Sequence, residues 1–565
     1  MKLKFNGFLT LLLVLLTQIS FAQDRTVTGV VTDESGLPIP GVNVLVKGTS
    51  NGIQTDFDGK FKIAASQGQT LVFSFLGMKT QEVAASSTNL KVKMKDDSVQ
   101  LEGVVVTALG IKRQKRELGY ATATVSGKEL TEVNNTNVFG SLSGKLAGVD
   151  ISAPAQVGAS TKVVIRGFNS LSPNKEVLYV IDGTPINNSS NGVSGRTAVD
   201  WTYDAGNGIG DLDPTNIASM TILKGSAATA LYGSRASNGA IIVTTKTGKN
   251  NSKLKVDFSS SIDFSEVARV PHLQYDFGQG WFGQGYSGFE THGSASAENG
   301  SWGPAFNGEL RPWGTIVNNS QQIKPYVGLK NNVKDFYDIG NSYTNSFRVS
   351  GGGSNSNFSL GYSDVNSNGI VPTDADLYLR RNLNLSAGIN SDKLDVKINI
   401  NYVNKDQNAV NTGQGDDAGE GQTLVQELLQ IPSDVSVVDL QDYKNNPFNT
   451  PSNYFSPYTS NPYFVINENS TNIKGNRVFG NTNFVYKFTP KFSATYQIGG
   501  DYRVEKVKSY GAVVKYDEGS SQDVNLTIPT VGGVTEKTSE RVELDSYLNF
   551  NYNTKINEDF EFNGM

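Results

Sequence analysis

The stretch DLDPTNIASMTILKGSAATALYGSRASNGAIIVTTKTGK, residues 211–249, decides the fold. Met220–Leu223 is a short apolar strand, and Ser226–Tyr232 is a helical turn made mostly of small residues. A Gly/Ser/Asn turn comes next, then Ala240–Thr245, a continuous apolar run bounded by turn signals, as in a fully buried strand. The residues before this stretch read as a secreted sandwich domain, and those after it read as membrane β-strands. The stretch is therefore expected to close a plug that the other parts position, pull on or surround.

The chain has 565 residues and a formal charge of −5. That length predicts several domains, and that charge argues against a nucleic-acid partner. Cysteine is absent, which excludes a disulfide framework and thiol chemistry. The two histidines, His272 and His292, sit in a Gly/Ser-rich region without metal-site spacing or a triad context. No catalytic constellation stands out, so no enzyme activity, cofactor or metal is expected. Lys2 and Lys4, the apolar run Phe8–Leu16 and Ser20-Phe21-Ala22 form an export signal over residues 1–22. The mature chain is expected to start at Gln23. No cysteine comes after the cut, so a lipoprotein is excluded. The apolar run is too short to span a bilayer, and no other run of eighteen apolar residues exists.

Residues 23–97 alternate short apolar runs with turn signals. Val27–Thr32, Val42–Val46, Phe61–Ala64, Leu71–Leu76 and Leu90–Met94 are predicted strands of an all-β sandwich. The pattern GVVTDESGLPIPGVNVLVKGT…TDFDGKFKI resembles the carboxypeptidase-regulatory-like domain, but with no histidine here a zinc enzyme is not implied. Asp56 and Asp58 fit a plain turn better than a calcium loop. Residues 98–116 form an extended segment. Val104-Val105-Val106-Thr107 is strongly β-prone and precedes the basic run Lys112, Arg113, Lys115, Arg116. It is either an ordinary strand, which propensity favours, or an edge lent to a partner by strand addition.

Residues 117–250 read as a mixed α/β plug. Val138–Leu146 is amphipathic, Val163–Arg166 and Val177–Ile181 are strands, and Asp182-Gly183-Thr184-Pro185 is a turn. Asn187–Gly210 is a long polar loop that contains Trp201.

From residue 251 to 565 the pattern has period two. In Phe492–Glu505 the residues Phe492, Ala494, Tyr496, Ile498, Tyr502 and Val504 share one face. Ser493, Thr495, Gln497, Asp501, Arg503 and Glu505 share the other. One apolar and one charged face match a lipid-facing barrel with a wet lumen. The predicted strands are 253–265, 342–352, 356–365, 377–389, 393–405, 475–488, 492–505, 541–553 and 558–565. Long and short links alternate between them, as in an outer-membrane barrel whose long loops face outward. A plug of this length has a diameter of roughly 37 Å. A nine-strand barrel has a backbone radius of only about 9 Å, whereas about 22 strands give about 22 Å. The chain is therefore expected to be the N-terminal part of a longer protein with a large transmembrane β-barrel.

SLSGKLAGVDI, VVIRGFNSL, VLYVIDGTPI and the opening stretch together resemble the plug of TonB-dependent outer-membrane transporters, and more narrowly the SusC/RagA family. The resemblance implies that Val104, Val105, Val106, Thr107 and Ala108 are the TonB box. It implies that Arg166 lies where plug meets barrel wall, the alternative being an ordinary salt bridge within the plug. It implies TonB with ExbB/ExbD, a SusD-like surface lipoprotein and outer-membrane lipid as partners. The N-terminal domain is expected in the periplasm. The implied function is active import of a bulky extracellular nutrient, a glycan (oligosaccharide) first and a peptide next. A receptor or assembly scaffold whose plug does not open is the alternative. Asn187–Gly210 and Gly225–Gly239 are candidates for remodelling under pull. Trp201, Trp281, Trp302 and Trp313 are candidate substrate contacts, because aromatic rings stack on sugars; loop self-packing is the competing explanation.

Overall fold

The computed structural model describes residues 25–565 except 34–35, 50, 67, 76–77, 79, 95–103, 107–111, 115–121, 133–137, 153–155, 168–175, 190–202, 225–227, 229, 231, 282–283, 286–298, 411–422, 457–458, 525–528 and 558–559. Only the backbone is described at 104–106, 112–114, 281, 284–285 and 561. The export signal, Thr107, Ala108 and Trp201 lie outside the described residues. The chain forms two compact units, one holding the sandwich and the other the plug with the long strands.

In the first unit, β1 (Arg25–Thr32), β4 (Lys60–Ala65) and β7 (Asn89–Lys93) make one sheet in the order β4-β1-β7. β2 (Asn43–Val46), β3 (Gly52–Gln54), β5 (Thr70–Ser74) and β6 (Gln81–Ala84) make the other, in the order β3-β2-β5-β6. Alternate residues turn inward along β2, β4 and β7. Val27, Val44, Ile63, Leu71, Phe73 and Val92 form part of the core, with Phe61 edge-on to Phe73 at 5.3 Å. β3 and β6, neither of which is among the predicted strands, are edge strands. β3 is exposed along its whole length and β6 buries no residue, so neither carries a hydrophobic alternation for sequence to show. Asp56 caps its own turn, its Oδ1 accepting from the amides of Asp58 and Lys60 at 3.0 and 2.8 Å.

β8 (Val104–Val106) pairs with β9 (Lys112–Gln114). In the second unit the plug is built on five strands: β10 (Thr122–Ser126), β13 (Leu178–Ile181), β14 (Thr184–Ile186), β15 (Ile217–Leu223) and β16 (Ala240–Thr245). They form one sheet in the order β10-β15-β16-β13-β14. β16 is central, parallel to β13 and antiparallel to β15. Its residues alternate between two cores. Ile241 and Val243 pack with Met220, Ile222 and Ile181. Ala240 and Ile242 pack with Val180, Leu223, Ala228 and Ala236. Both faces are covered, which is why the strand reads as continuously apolar. Alanines on the second face fit there because the turn lies close against the sheet. β11 (Val149–Ser152) and β12 (Lys162–Ile165) form a separate hairpin. The amphipathic stretch 138–146 is not a regular helix. Only Gly140–Leu142 makes a 3-10 turn, and Gly144 has φ +77°. Its apolar residues Val138, Phe139, Leu142 and Leu146 are nevertheless buried.

The remaining strands form one antiparallel sheet in chain order. They are β17 (Ser252–Ser265), β22 (Gly340–Gly352), β23 (Ser356–Asn368), β24 (Tyr378–Asn390), β25 (Leu394–Ala409), β26 (Ser470–Lys487), β27 (Phe492–Gly511), β28 (Gly533–Lys555) and β29 (Glu561–Gly564). The short pair β18 (Gly280–Trp281) and β19 (Gln284–Gly285) and the hairpin β20 (Leu310–Val317) and β21 (Ser320–Pro325) lie in the first long link. Strand existence and the order of short and long links agree with the sequence reading. Most boundary differences fall on the long-loop side: β26, β27 and β28 extend several residues further there. On β27 the pattern inverts at that end, with Val507 buried and Lys506 and Lys508 exposed. The strand has left the apolar layer, so lipid no longer dictates its outer face.

Along β27 the outward apolar band runs from Phe492 to Tyr502. Ten steps of about 3.4 Å at a tilt near 40° rise about 26 Å, the height of an apolar band in such barrels. Aromatic rings cluster near the short turns. Phe492 stacks between Phe488 and Phe550 at 5.2 and 6.1 Å. This is an interfacial girdle. The plug enters at the same end, since the amide of Asn251 donates to Gly353 O at 2.8 Å in a short turn.

Candidate functional site

The inner faces of β22 to β28 are polar, yet much of that surface is buried because the plug lies on it. Arg380, Asn382, Asn401, Lys405, Arg477, Asn481, Gln497, Asp501, Arg503 and Glu505 are each at most 7% exposed. Buried polar groups must find partners, and here the plug supplies many of them.

The plug side is built by DLDPTN, residues 211–216. Pro214–Asn216 forms a 3-10 turn, started by Asp213, whose carboxylate accepts from the amide of Thr215 at 2.8 Å. This turn aims its neighbours at four strands. Arg477 on β26 donates through Nη1 to Asp211 Oδ2 at 2.8 Å and to Gly208 O at 2.5 Å. The other edge of its guanidinium grips Asp501 of β27, Nε to Oδ1 at 2.8 Å and Nη2 to Oδ2 at 2.6 Å. On β24, Arg380 donates to Gly210 O and Asn382 to Asp211 O at 2.7 Å. On β22, Arg348 donates to Asn216 Oδ1 at 2.6 Å. Asn216 in turn donates to Asn401 of β25 at 3.3 Å. Burial opposes ionisation of Asp211, but Arg503, Arg477 and Lys405 outweigh it and hold the carboxyl below its usual value.

A second contact lies at the Asp182-Gly183 turn joining β13 to β14. Both residues have positive φ, +49° and +92°, as a two-residue hairpin requires. Asp182 is tied to Thr245 at the end of β16: its carboxylate accepts from the amide at 2.9 Å and from the hydroxyl at 2.6 Å. Burial pushes the Asp182 carboxyl up, and the two bonds from Thr245 oppose that shift. Asn481 and Tyr547 donate to Asp182 O and Gly183 O at 2.9 and 3.0 Å. Gly499 lets the wall come close, since a Cβ there would stand 2.3 Å from Thr184 Oγ1. A third contact is Lys405, which bridges Ala205 O at 2.6 Å and Glu505 at 3.0 Å.

Arg166 comes directly after β12 with φ +57° and an exposed side chain; its amide donates to Gly148 O at 2.8 Å. Among the described residues its side chain has no hydrogen bond or ion pair, and the plug–wall bonds fall on the positions above. Sequence reasoning missed those because an inward-facing Arg or Asn on a barrel strand looks like any lumen residue. Val104–Val106 is a strand, while Thr107 and Ala108 are outside the described residues, as is Trp201. Trp281 is described in backbone only. Trp302 is 61% exposed. Trp313 follows the loop self-packing explanation: it is buried against Phe455 with Lys324 Nζ 4.5 Å over its ring, so it packs the loop and is not open to a sugar. That packing belongs to a loop core that sequence reasoning missed, with Phe336, Leu428, Val435, Tyr454 and Tyr463.

Comparison with known proteins agrees with this architecture. Residues 27–106 match the CarboxypepD_reg-like domain, and residues 114–240 match the TonB-dependent Receptor Plug Domain. The chain is 32% identical over 500 residues to the TonB-dependent receptor SusC of Bacteroides thetaiotaomicron, covering 86% of this chain and 45% of that protein. It is 27% identical to the TonB-dependent receptor P39 of Formosa agariphila, covering 99% and 48%. It thus spans about half the length of the curated relatives it matches. The fold is similar to that of the RagAB peptide importer in the open-open state, with a TM-score of 0.55 at 16% identity over 80% of this chain and 47% of that one. The closed-closed state gives 0.54 at 17% identity over 78% and 46%. Plug, lipid-facing strands and these matches together place the chain among the SusC/RagA-type TonB-dependent receptors of the outer membrane, with a CarboxypepD_reg-like domain ahead of the plug.

Proposed function

We propose that the protein imports a bulky nutrient across the outer membrane, an oligosaccharide first, with TonB supplying the work. The carrying observation is the plug–wall interface, in which Asp211, Asn216, Asp182 and Gly183 meet the strands mainly through hydrogen bonds and ion pairs. Water can replace such bonds one by one, so the apolar contact to be broken is confined to Val403 and Phe479 against the plug core and to Tyr203 and Ala205 against Ala409, Ile473 and Val507. Val104–Ala108 is the proposed grip for TonB, which would add its own strand. Arg166 is proposed as a further plug–wall contact in the receptor. Trp302 is the described aromatic residue offered to a sugar ring. A SusD-like lipoprotein is proposed over the long loops, where Leu310 and Ile323 of the β20–β21 hairpin are 72% and 67% exposed. The peptide variant draws on the similarity of fold to the RagAB peptide importer.

Deleting Val104–Ala108 tests the proposal. Uptake of labelled oligosaccharide should stop while the amount of receptor in the outer membrane is unchanged. Unchanged uptake would sink the transporter reading and favour a receptor or scaffold with a closed plug. Uptake of labelled peptide instead would move the substrate class.

A further inference from the structure

A cavity of about 600 Å³ lies between the plug and the strands β17, β22 and β23. It sits at the short-turn end of the wall, beside the link from plug to β17, where the Ser252 hydroxyl donates to Lys249 O at 2.6 Å. The plug lines it with Asp213, Lys246 and Lys249, and the wall with Lys253, Lys255, Asp257 and Arg348. In the β17–β22 register Asp257 stands opposite Arg348, whose guanidinium reaches the plug, so Lys255 and Asp257 share that lumen face. Lys255 and Asp257 pair with each other at 2.6 Å. Lys246 donates to Thr215 O at 2.7 Å and Arg348 to Asn216 Oδ1 at 2.6 Å, both neutral acceptors. The Asp213 carboxylate is taken up by the amide and hydroxyl of Thr215 and by Asn384. Among the described residues no carboxylate lies within ion-pair distance of Lys246, Lys249, Lys253 or Arg348. Burial and Arg348 hold the Lys246 ammonium below its usual value, and the opposing pull of Asp213 and Asp257 does not restore it.

Against β25 to β27 the plug contact is built otherwise. There Arg477 meets Asp211 and Asp501, Lys405 and Arg503 meet Glu505, and the space left among them is about 10 Å³. A closed contact with matched charges fastens the plug. An open one with surplus cations has room for a ligand, since ligand pockets are typically about 300–1,000 Å³. Like charges gathered in a cleft with low-dielectric walls raise the local concentration of their counter-ions. Thr247, Ser259 and Ser346 add hydroxyls to the same lining, and a hydroxyl can both donate to and accept from the hydroxyls of a sugar.

We propose that this cavity is an exit subsite for acidic cargo, in which the carboxylate or sulfate groups of an anionic oligosaccharide rest against Lys246, Lys253, Lys255 and Arg348. This assignment rests on the import function proposed above and narrows its substrate class. An acidic peptide offers the same carboxylates but no ring hydroxyls for the serines and threonine.

The test titrates the full receptor in detergent, by calorimetry, with a tetragalacturonide, a sulfated galactan tetrasaccharide and the neutral galactan tetrasaccharide. Wild type is compared with the double variant Lys253→Ser, Lys255→Ser; both lysines are exposed, so packing is unchanged. Wild type should bind an acidic probe at least tenfold tighter than the neutral one, and the carboxylate and sulfate arms tell which anion is preferred. Loss of two exposed charge contacts should weaken that acidic probe roughly tenfold and leave the neutral one as it was. Acidic and neutral probes bound alike by wild type, or no acidic probe bound at millimolar concentration, overturns the proposal. So does an acidic preference that survives in the double variant, which would put it elsewhere on the receptor. Tetraglutamate bound tighter than either acidic sugar overturns it too, in favour of a peptide. Calorimetry reads binding without TonB, so failure here leaves the import function standing, whereas uptake unchanged by deletion of Val104–Ala108 sinks that function and not this binding.

Discussion

Arg477 Nη1 on β26 lies 2.8 Å from Asp211 Oδ2 in the plug, and both side chains are at most 6% exposed. The same guanidinium holds Asp501 on β27, so one residue joins two wall strands to the plug. Removing one partner of a buried pair costs about 3–5 kcal/mol, because a charge is left without compensation. Arg477→Met should therefore loosen the plug while the strands still pair. Faster hydrogen exchange at 208–216, with unchanged exchange on β27 and β28, is the expected readout. Uniform protection in the variant would show that the pair does not anchor the plug.

The depressed Asp211 carboxyl makes the same anchor acid-sensitive. Its stabilisation is fully present above the unfolded aspartate value of about 3.9 and is lost as pH falls through the lower folded value. Plug exchange at 208–216 should thus rise steeply below about pH 4. Asp211→Asn should be looser at neutral pH and should lack that acid step.

Gly499 and Thr184 set how close the wall comes to the β13–β14 hairpin. A Cβ at 499 meets Thr184 Oγ1 and Cγ2 at 2.3 and 2.5 Å, so Gly499→Val must push the hairpin back. The bonds from Asn481 and Gln497 to Thr184, 3.2 and 3.0 Å, would lengthen with it. Overpacking of this kind costs about 1–3 kcal/mol. The expected outcome is a receptor that inserts normally but admits more of a large antibiotic. Thr184→Ala combined with Gly499→Val should restore part of the barrier.

Leu548 on β28 is 55% exposed and faces outward opposite Tyr496, in the middle of the apolar band. Leu548→Arg should cost about 2–4 kcal/mol near the bilayer midplane. Lowered yield of folded, heat-modifiable barrel in membranes would show it. An unaffected yield would place this face against protein rather than lipid.

Glu427 in the loop core is 1% exposed, its Oε2 accepting from the amide of Ser460 at 2.6 Å. Burial pushes its pKa up to about 8. A carboxyl raised above its unfolded value of about 4.3 holds its proton better when folded. Loop stability should therefore be highest at acid pH, fall between about pH 4 and pH 8, and level off above. Proteolysis of 423–469 should be faster at pH 8 than at pH 5.5, and Glu427→Gln should flatten that difference.

Sequence alone determined the strands of the sandwich core, the buried strand Ala240–Thr245 and the whole succession of barrel strands. Each has a one-dimensional cause: alternation marks a sheet with two different faces, and a continuous apolar run marks a strand covered on both. It also separated lipid face from lumen, because lipid constrains every second residue of β27 from Phe492 to Tyr502. Where that constraint ends, the pattern ends too: β26 to β28 continue past it, and β3 and β6 have no buried alternation to betray them. Only the tertiary structure decided which lumen residues matter. Arg477, Asp211 and Asp501 are far apart in the chain, and nothing local marks them as partners. Trp313 was placed by packing as well, since an aromatic in a glycine-rich loop can face sugar or core, and the loop core around Phe455 claims it. The opening stretch, residues 211–249, kept its expected strands. What the fold added is that its first six residues, DLDPTN, do not merely precede the plug sheet but fasten it to the wall.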